Sequence, residues 1–320
     1  MRILITGITG FVGGHLTELL RAEGGHDVHG LSRHGVWGLA CAHLSGAATM
    51  RAVDLLDRDT IARVVRDVRP DWVFHLAGYA NTGKSFREPD VCWADNLNGT
   101  RAVYDAIAES GVRPRILFVS TGLVYGDPDG PEQAFDESAV LKPASPYAAS
   151  KAAADLLGYQ YTRSPGLDIV RVRLFNQIGP RQPADYAVAN FARQIAAAEA
   201  GKQSPVIETG DLSAHRDLTD VRDMVTAFRA LIEHGAKGEV YNAGRGQTWR
   251  IRDVLDKLVG LARVRVEVRQ KIEPGRAADT AITRADTRKL RRVTGWAPRY
   301  ELDRTLADTL DYWRGVAAQG

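Results

Sequence analysis

A short apolar run, Arg2 to Thr6, breaks into Gly7-Ile8-Thr9-Gly10-Phe11-Val12-Gly13 and resumes with Leu16, Leu19 and Leu20 at helical spacing. No other feature narrows the possible folds as far. A continuous apolar strand that feeds directly into a helix belongs inside a parallel sheet, because parallel strands are covered on both faces by crossover helices. Glycines in the turn allow close backbone approach, and the helix start offers unbonded N–H groups and the positive end of a dipole. The turn therefore predicts a phosphate cradle formed by Gly7, Thr9, Gly10, Phe11, Val12 and Gly13. The spacing is G-x-x-G-x-x-G, one residue longer at its first gap than the usual dinucleotide fingerprint. Glycines alone would also suit a plain tight turn; the strand before them and the helix after them favour the ligand site.

The same alternation continues. Strands are expected over 26–31, 48–53, 71–76, 116–119 and 168–174, with helices over 61–68 and 89–110 and another beginning at Pro146. This βαβ rhythm predicts an α/β fold with a doubly wound parallel sheet of the Rossmann type. After Asn176 the rhythm breaks. Helices near 187–200, 221–233, 250–262, 286–293 and 303–315, with short strands near 205–208 and 239–242, indicate a smaller, interleaved α/β lobe. The expected division is 1–175 with roughly 210–245 for the dinucleotide, and 176–209 with 246–320 for the substrate. The second predicted strand ends in Leu31-Ser32-Arg33-His34, with no carboxylate for a ribose 2′-hydroxyl. Arg33 suits a 2′-phosphate instead, which favours NADP over NAD.

Ser145-Pro146-Tyr147-Ala148-Ala149-Ser150-Lys151 carries the candidate chemistry. Ser145 reads as an N-cap and Pro146 as the first helical residue. Tyr147 and Lys151 are then one turn apart on one face. A nearby ammonium favours a phenolate, so Lys151 is expected to lower the Tyr147 pKa.

Composition bounds the partners. The 320 residues carry a net charge of +3 without a Lys/Arg run, so no nucleic-acid footprint is evident. No apolar stretch is long enough for a bilayer, and no secretory apolar region follows Met1; cytoplasmic residence is the expectation. Cys41 and Cys92 show no metal-ligand or redox spacing, and no metal is expected.

In order, Gly7-x-x-Gly10-x-x-Gly13, Ser120-Thr121, Tyr147-x-x-x-Lys151, Asn176-x-x-Gly179-Pro180-Arg181, Arg216-Asp217-x-x-Asp220-Val221 and Gly295-Trp296-x-Pro298 span the chain. Together they resemble the extended short-chain dehydrogenase/reductase family of nucleotide-sugar enzymes. Val28-His-Gly-Leu-Ser-Arg33, Leu174-Phe-Asn-Gln-Ile-Gly-Pro180 and Asn190-Phe-Ala-Arg-Gln-Ile195 are most similar to its GDP-mannose 4,6-dehydratases and GDP-4-keto-6-deoxymannose reductases. The resemblance implies Thr121, Tyr147 and Lys151 as catalytic residues, with Lys151 also holding the nicotinamide ribose. It adds Asp54, Leu55, Leu76 and Ala77 to the cofactor residues. For a nucleoside-diphosphate sugar, GDP-linked by preference, it implies contacts from Thr121, Asn176, Arg181, Asn190, Arg216, Arg276 and Asp279. It also implies a homodimer through the 89–110 helix and the Tyr147 helix.

Dehydratases of this kind carry acids directly after the threonine, where this chain has Gly122 and Leu123. Neither can move a proton. NAD(P)H-dependent reduction of a 4-keto-6-deoxy nucleotide sugar is therefore the leading expectation. The alternative is NAD-dependent 4-epimerisation; 4,6-dehydration and a non-catalytic dinucleotide sensor stand behind both.

Overall fold

The structure is a computed structural model that describes residues 1–130, 133–271 and 282–319. Its first half is β1 (Arg2–Thr6), α1 (Phe11–Glu23), β2 (Asp27–Ser32), β3 (Thr49–Ala52), α2 (Arg58–Val68), β4 (Trp72–His75), α3 (Thr82–Ser85), α4 (Pro89–Trp93) and α5 (Gly99–Ser110), followed by β5 (Arg115–Thr121) and α6 (Pro146–Arg163). Then come β6 (Asp168–Leu174), β7 (Gln177–Ile178), α7 (Ala187–Glu199), β8 (Val206–Thr209), β9 (His215–Asp217), β10 (Thr219–Asp220) and α8 (Val221–His234). The chain finishes with β11 (Val240–Ala243), β12 (Thr248–Arg250), α9 (Ile251–Gly260), β13 (Glu267–Gln270), β14 (Ile282–Thr283), α10 (Arg288–Thr294) and α11 (Leu302–Gln319).

Seven strands form one parallel sheet in the order β11-β6-β5-β4-β1-β2-β3. Alternate residues feed opposite cores, as the strand period requires. Ile3, Ile5, Phe74 and Leu117 pack under α1 and α8, whereas Leu4, Val73, Ile116 and Phe118 pack under α2, α5 and α6. Both faces are thus covered, and the sheet is doubly wound. The winding reverses between β1 and β4, so a crevice opens beyond their carboxyl ends, where Gly7 and Leu76-Ala77 lie. A separate core of α7, α9 and α11 closes over β8 and forms the smaller lobe. Its strands make short mixed pairings: β12-β9-β14, β13-β8 and β10-β7.

The expected 89–110 helix is interrupted. Between α4 and α5, Ala94–Asn98 widen into a π turn that directs Asn96 at α6, where Nδ2 donates to Ser150 Oγ at 2.9 Å. Such single-turn expansions often accompany functional sites.

Candidate functional site

The crevice at the switch point continues between the lobes as one cleft of about 1700 Å³. That exceeds the roughly 300–1,000 Å³ of an ordinary small-ligand pocket and leaves room for two ligands in line.

One end is the glycine turn. Gly7 takes φ 72°, and a Cβ there would lie 2.8 Å from the Ala77 backbone. A Cβ on Gly13 would stand 2.4 Å from the Ile8 carbonyl, so α1 can pack this close to β1 only through glycine. No side chain caps the N-terminus of α1. Its first N–H groups therefore face the cleft as an anion site, and the cradle fits a pyrophosphate. Thr9, Gly10, Phe11, Val12, Arg33, Asp54, Leu55, Leu76 and Ala77 all line this end. Arg33 is exposed at its rim and paired with Asp95 at 2.5 Å.

Tyr147 stands mid-cleft. Ser145 Oγ accepts from Ala148 N at 3.1 Å and Ser85 Oγ accepts from Tyr147 N at 3.2 Å, so two hydroxyls cap the first turn of α6. Behind them Asp155 is fully buried and bonds two guanidinium groups of β6, Arg171 and Arg173, at 2.7 Å each. These contacts fix the rotation of α6 against the sheet. The Thr121 hydroxyl lies beside the Tyr147 phenol, near enough to favour its ionised form.

The expected electrostatics of Tyr147 need correction. Cleft walls withhold water from the phenol, and Tyr186 lies close by, so its pKa is pushed above the ordinary phenol range; the Thr121 hydroxyl pulls only partly the other way. Lys151 does not lower it. That side chain is buried, and Nζ donates to the Val119 carbonyl at 2.6 Å, not toward the phenol. Burial brings Lys151 down to about 8, against opposing pulls from Asp155 and Cys92. An ammonium turned to a carbonyl of β5 is not placed to stabilise the phenolate of a neighbour one turn away. Lys151 is not itself a lining residue, yet Nζ lies only 3.7 Å from the position of a Cβ on Gly78, which is one. Beneath, His75 is held neutral, down to about 3, by burial and then by Lys151. Thr100 spends its proton on the Asn96 carbonyl, so His75 Nε2–H donates to Thr100 Oγ1 while Nδ1 accepts from Thr6.

Beyond Tyr147 the lining changes to Asn176, Asn190, Arg193 and Arg216. Asn176 accepts from Thr283 Oγ1 at 3.3 Å. Of the Arg216-Asp217-x-x-Asp220 motif, only Arg216 reaches the cleft. Asp217 accepts from the amides of Arg245, Gly246 and Ala285, and burial raises it to about 6. Asp220 caps α8. Arg181, expected at the substrate, is not among the lining residues: its guanidinium turns away and grips Glu18 on α1. Arg276 and Asp279 lie outside the described residues.

Some of this wall escaped the sequence. Arg193 is three residues from Asn190 and donates to its Oδ1 at 3.0 Å, so helical period alone would have found it. The roof over Tyr147 had no such signal. Tyr186 donates to the Ala80 carbonyl at 2.9 Å, and Lys84 pairs with Asp185 at 2.5 Å, tying the loop after β4 and α3 to the residues just before α7.

With the glycine cradle, the Thr121–Tyr147 pair and the second polar chamber in place, comparison with known proteins gives a family. The sequence model of GDP-mannose 4,6 dehydratase matches residues 4–309. The chain belongs to that family. It is thus an extended short-chain dehydrogenase/reductase, an enzyme of the class that acts on nucleotide sugars. GDP-6-deoxy-D-mannose reductase of Pseudomonas aeruginosa is 33% identical over 312 residues, 98% of this chain and 97% of the relative. The structure of RMD from Pseudomonas aeruginosa complexed with NADPH superimposes with TM-score 0.85 at 32% identity, covering 98% of this chain and 99% of that one. UDP-glucose 4-epimerase of Thermus thermophilus, in complex with NAD, gives TM-score 0.87 at 29% identity over 98% and 99%. Among the described residues no helix is long and apolar enough to cross a membrane.

Proposed function

We propose that this enzyme reduces the C4 ketone of a 4-keto-6-deoxy nucleotide sugar, GDP-linked by preference, with NADPH. The bound dinucleotide supplies the hydride. The glycine turn and α1 would hold its pyrophosphate, Arg33 its 2′-phosphate and Asp54 its adenine, with Lys151 turning from Val119 to its nicotinamide ribose. Asn176, Asn190 and Arg216 would receive the nucleoside diphosphate. Thr121 would hydrogen-bond the C4 oxygen, and Tyr147 would give it the proton that turns ketone into alcohol. A phenol whose pKa lies above the ordinary range is already in the acid form this step needs.

Elimination is the less favoured chemistry despite the family's name, because the positions after Thr121 are Gly122 and Leu123. A Cβ on Gly122 would sit 2.8 Å from the Phe175 ring, so the space an acid would need beside Thr121 is filled by an aromatic wall. Between the two remaining chemistries, Arg33 carries the reading: a guanidinium at the end of β2 suits the phosphorylated cofactor that reductive reactions draw on. The Arg33–Asp95 pair also gives the epimerase reading its one foothold, since Asp95 lines the same rim and offers a carboxylate to an unphosphorylated ribose. A panel of GDP-, UDP-, dTDP- and CDP-4-keto-6-deoxy sugars with NADPH or NADH, followed at 340 nm and by NMR, tests the proposal. Stoichiometric NADPH oxidation with a C4 alcohol as product is expected. Interconversion of 4-epimers by a preparation that carries its own NAD, with no net oxidation, would replace it.

A homodimer through α4, α5 and α6 and a cytoplasmic location complete the proposal. Val91 and Trp93 on α4 and Leu156 and Tyr159 on α6 are exposed, an apolar surface of the kind that twofold pairing covers.

A further inference from the structure

Arg181 belongs to the motif that suggested a substrate contact, yet its bonds lie on the far side of the cofactor helix. Its backbone is left-handed, φ 71°, a state a non-glycine residue keeps only where its surroundings enforce it. The enforcement is visible. Nη1 and Nη2 grip Glu18 Oε1 and Oε2 at 2.5 and 2.6 Å, and Nη2 also donates to His15 Nδ1 at 2.8 Å. With Nδ1 accepting, His15 Nε2–H donates to the Pro180 carbonyl at 3.0 Å. His43 closes the cluster, with Nε2 2.6 Å from Glu18 Oε1. The Arg181 side chain is only 10% exposed, and a two-pronged guanidinium–carboxylate pair fixes orientation as well as distance.

Both ends of this interlock reach the cleft. His15 packs edge-on against Phe11 with centroids 5.5 Å apart, and Phe11 lines the glycine-turn end. On the other side Gln182 follows Arg181 in the chain, and its Nε2 donates to the Gln177 carbonyl at 2.8 Å; both glutamines line the cleft. The segment from Gln177 to Pro183 is thus fastened to α1 by the Arg181 guanidinium on Glu18, with His15 on the Pro180 carbonyl as a second tie.

We propose that Arg181 is a positioning residue that couples the two chambers: a dinucleotide seated on α1 presets the Gln177–Pro183 loop, so that the second nucleotide binds more tightly. This rests on the reading of the cleft as a site for a dinucleotide plus a nucleoside-diphosphate sugar. Linkage makes the effect reciprocal, so it can be read from either ligand.

Calorimetry on the full chain tests it, with NADPH and with GDP or UDP, each titrated alone and in the presence of the other. The wild type should bind the second ligand at least about fivefold more tightly once the first is bound. Arg181→Met and Glu18→Gln should bring that factor to within about twofold of unity, while NADPH alone binds within about threefold of wild type. Arg21→Ala, on the exposed face of the same helix, should keep the full factor. A merely structural role would lower the melting temperature and leave the factor intact. If Arg181→Met does not fold, Glu18→Gln, which keeps the shape and removes the charge, decides alone. Absence of coupling in the wild type, its survival in Glu18→Gln, or its loss in Arg21→Ala would overturn the proposal. Failure of the wild type to bind NADPH, or either GDP or UDP, would instead remove the reading of the cleft on which it stands.

Discussion

Tyr147 is both the most exposed to test and the simplest to isolate. Phenylalanine keeps the ring against its neighbours and deletes the one proton the proposed reaction needs. Tyr147→Phe should therefore lower kcat by about 10²–10⁴-fold while the Kd for NADPH changes by less than about threefold. Stopped-flow turnover and calorimetry together check this; an active variant would withdraw the proton from Tyr147. Lys151 adds a pH signature. Its ammonium, the form that donates to a ribose, is complete well below about 8 and is lost as pH rises through that value. NADPH affinity should thus be level from pH 6 to 7 and then weaken toward pH 9, by at most about tenfold per unit. Lys151→Met should bind NADPH weakly, with the bend near pH 8 gone. A wild-type affinity that strengthens toward pH 9 would contradict the proposed role. The Tyr-x-x-x-Lys spacing placed both residues on one helix correctly, because helical period is a local property. It could not reveal where the amine points, since the Val119 carbonyl comes from another element, 32 residues earlier.

At the scale of elements, α6 and β6 stand or fall together. Asp155 faces Arg171 and Arg173 with all three side chains buried. Asp155→Asn leaves two guanidinium groups without a counter-charge, so it should cost about 3–5 kcal/mol. Urea unfolding checks this as a lower midpoint with an unchanged slope. A loss under about 1 kcal/mol would mean that water or rearrangement satisfies both arginines. Most elements of the sheet were legible in advance: β1 and β6 match their predicted limits, and other strands shift by one or two residues where pairing, not hydrophobicity, sets the ends. The glycine turn was legible for the same reason. What stayed hidden is long-range. Arg181 reads as one more motif cation until Glu18, 163 residues earlier in the chain, is seen beneath it. The π turn at Asn96 was hidden because it answers to Ser150 on a different helix.

For the whole molecule, two lobes meet along a single cleft, and ligands that bridge it should hold the folded state together. A ligand at 100 times its Kd adds about 2.7 kcal/mol, so NADPH should raise the melting temperature by several degrees. NADH at the same concentration should raise it much less. In Arg33→Ala the NADPH increment should shrink to that of NADH, because only the 2′-phosphate distinguishes them. Equal increments in the wild type would argue for the unphosphorylated cofactor.

The two ties of the roof over Tyr147 differ in what can undo them. The Lys84 and Asp185 side chains are 46% and 51% exposed, so mobile ions compete for that pair, whereas the Tyr186–Ala80 bond carries no net charge. Rising ionic strength slackens one pin and spares the other. A nucleoside-diphosphate sugar of the kind proposed would then sit beneath a roof whose hold varies with the salt of the medium, even where the proposed proton and hydride steps do not.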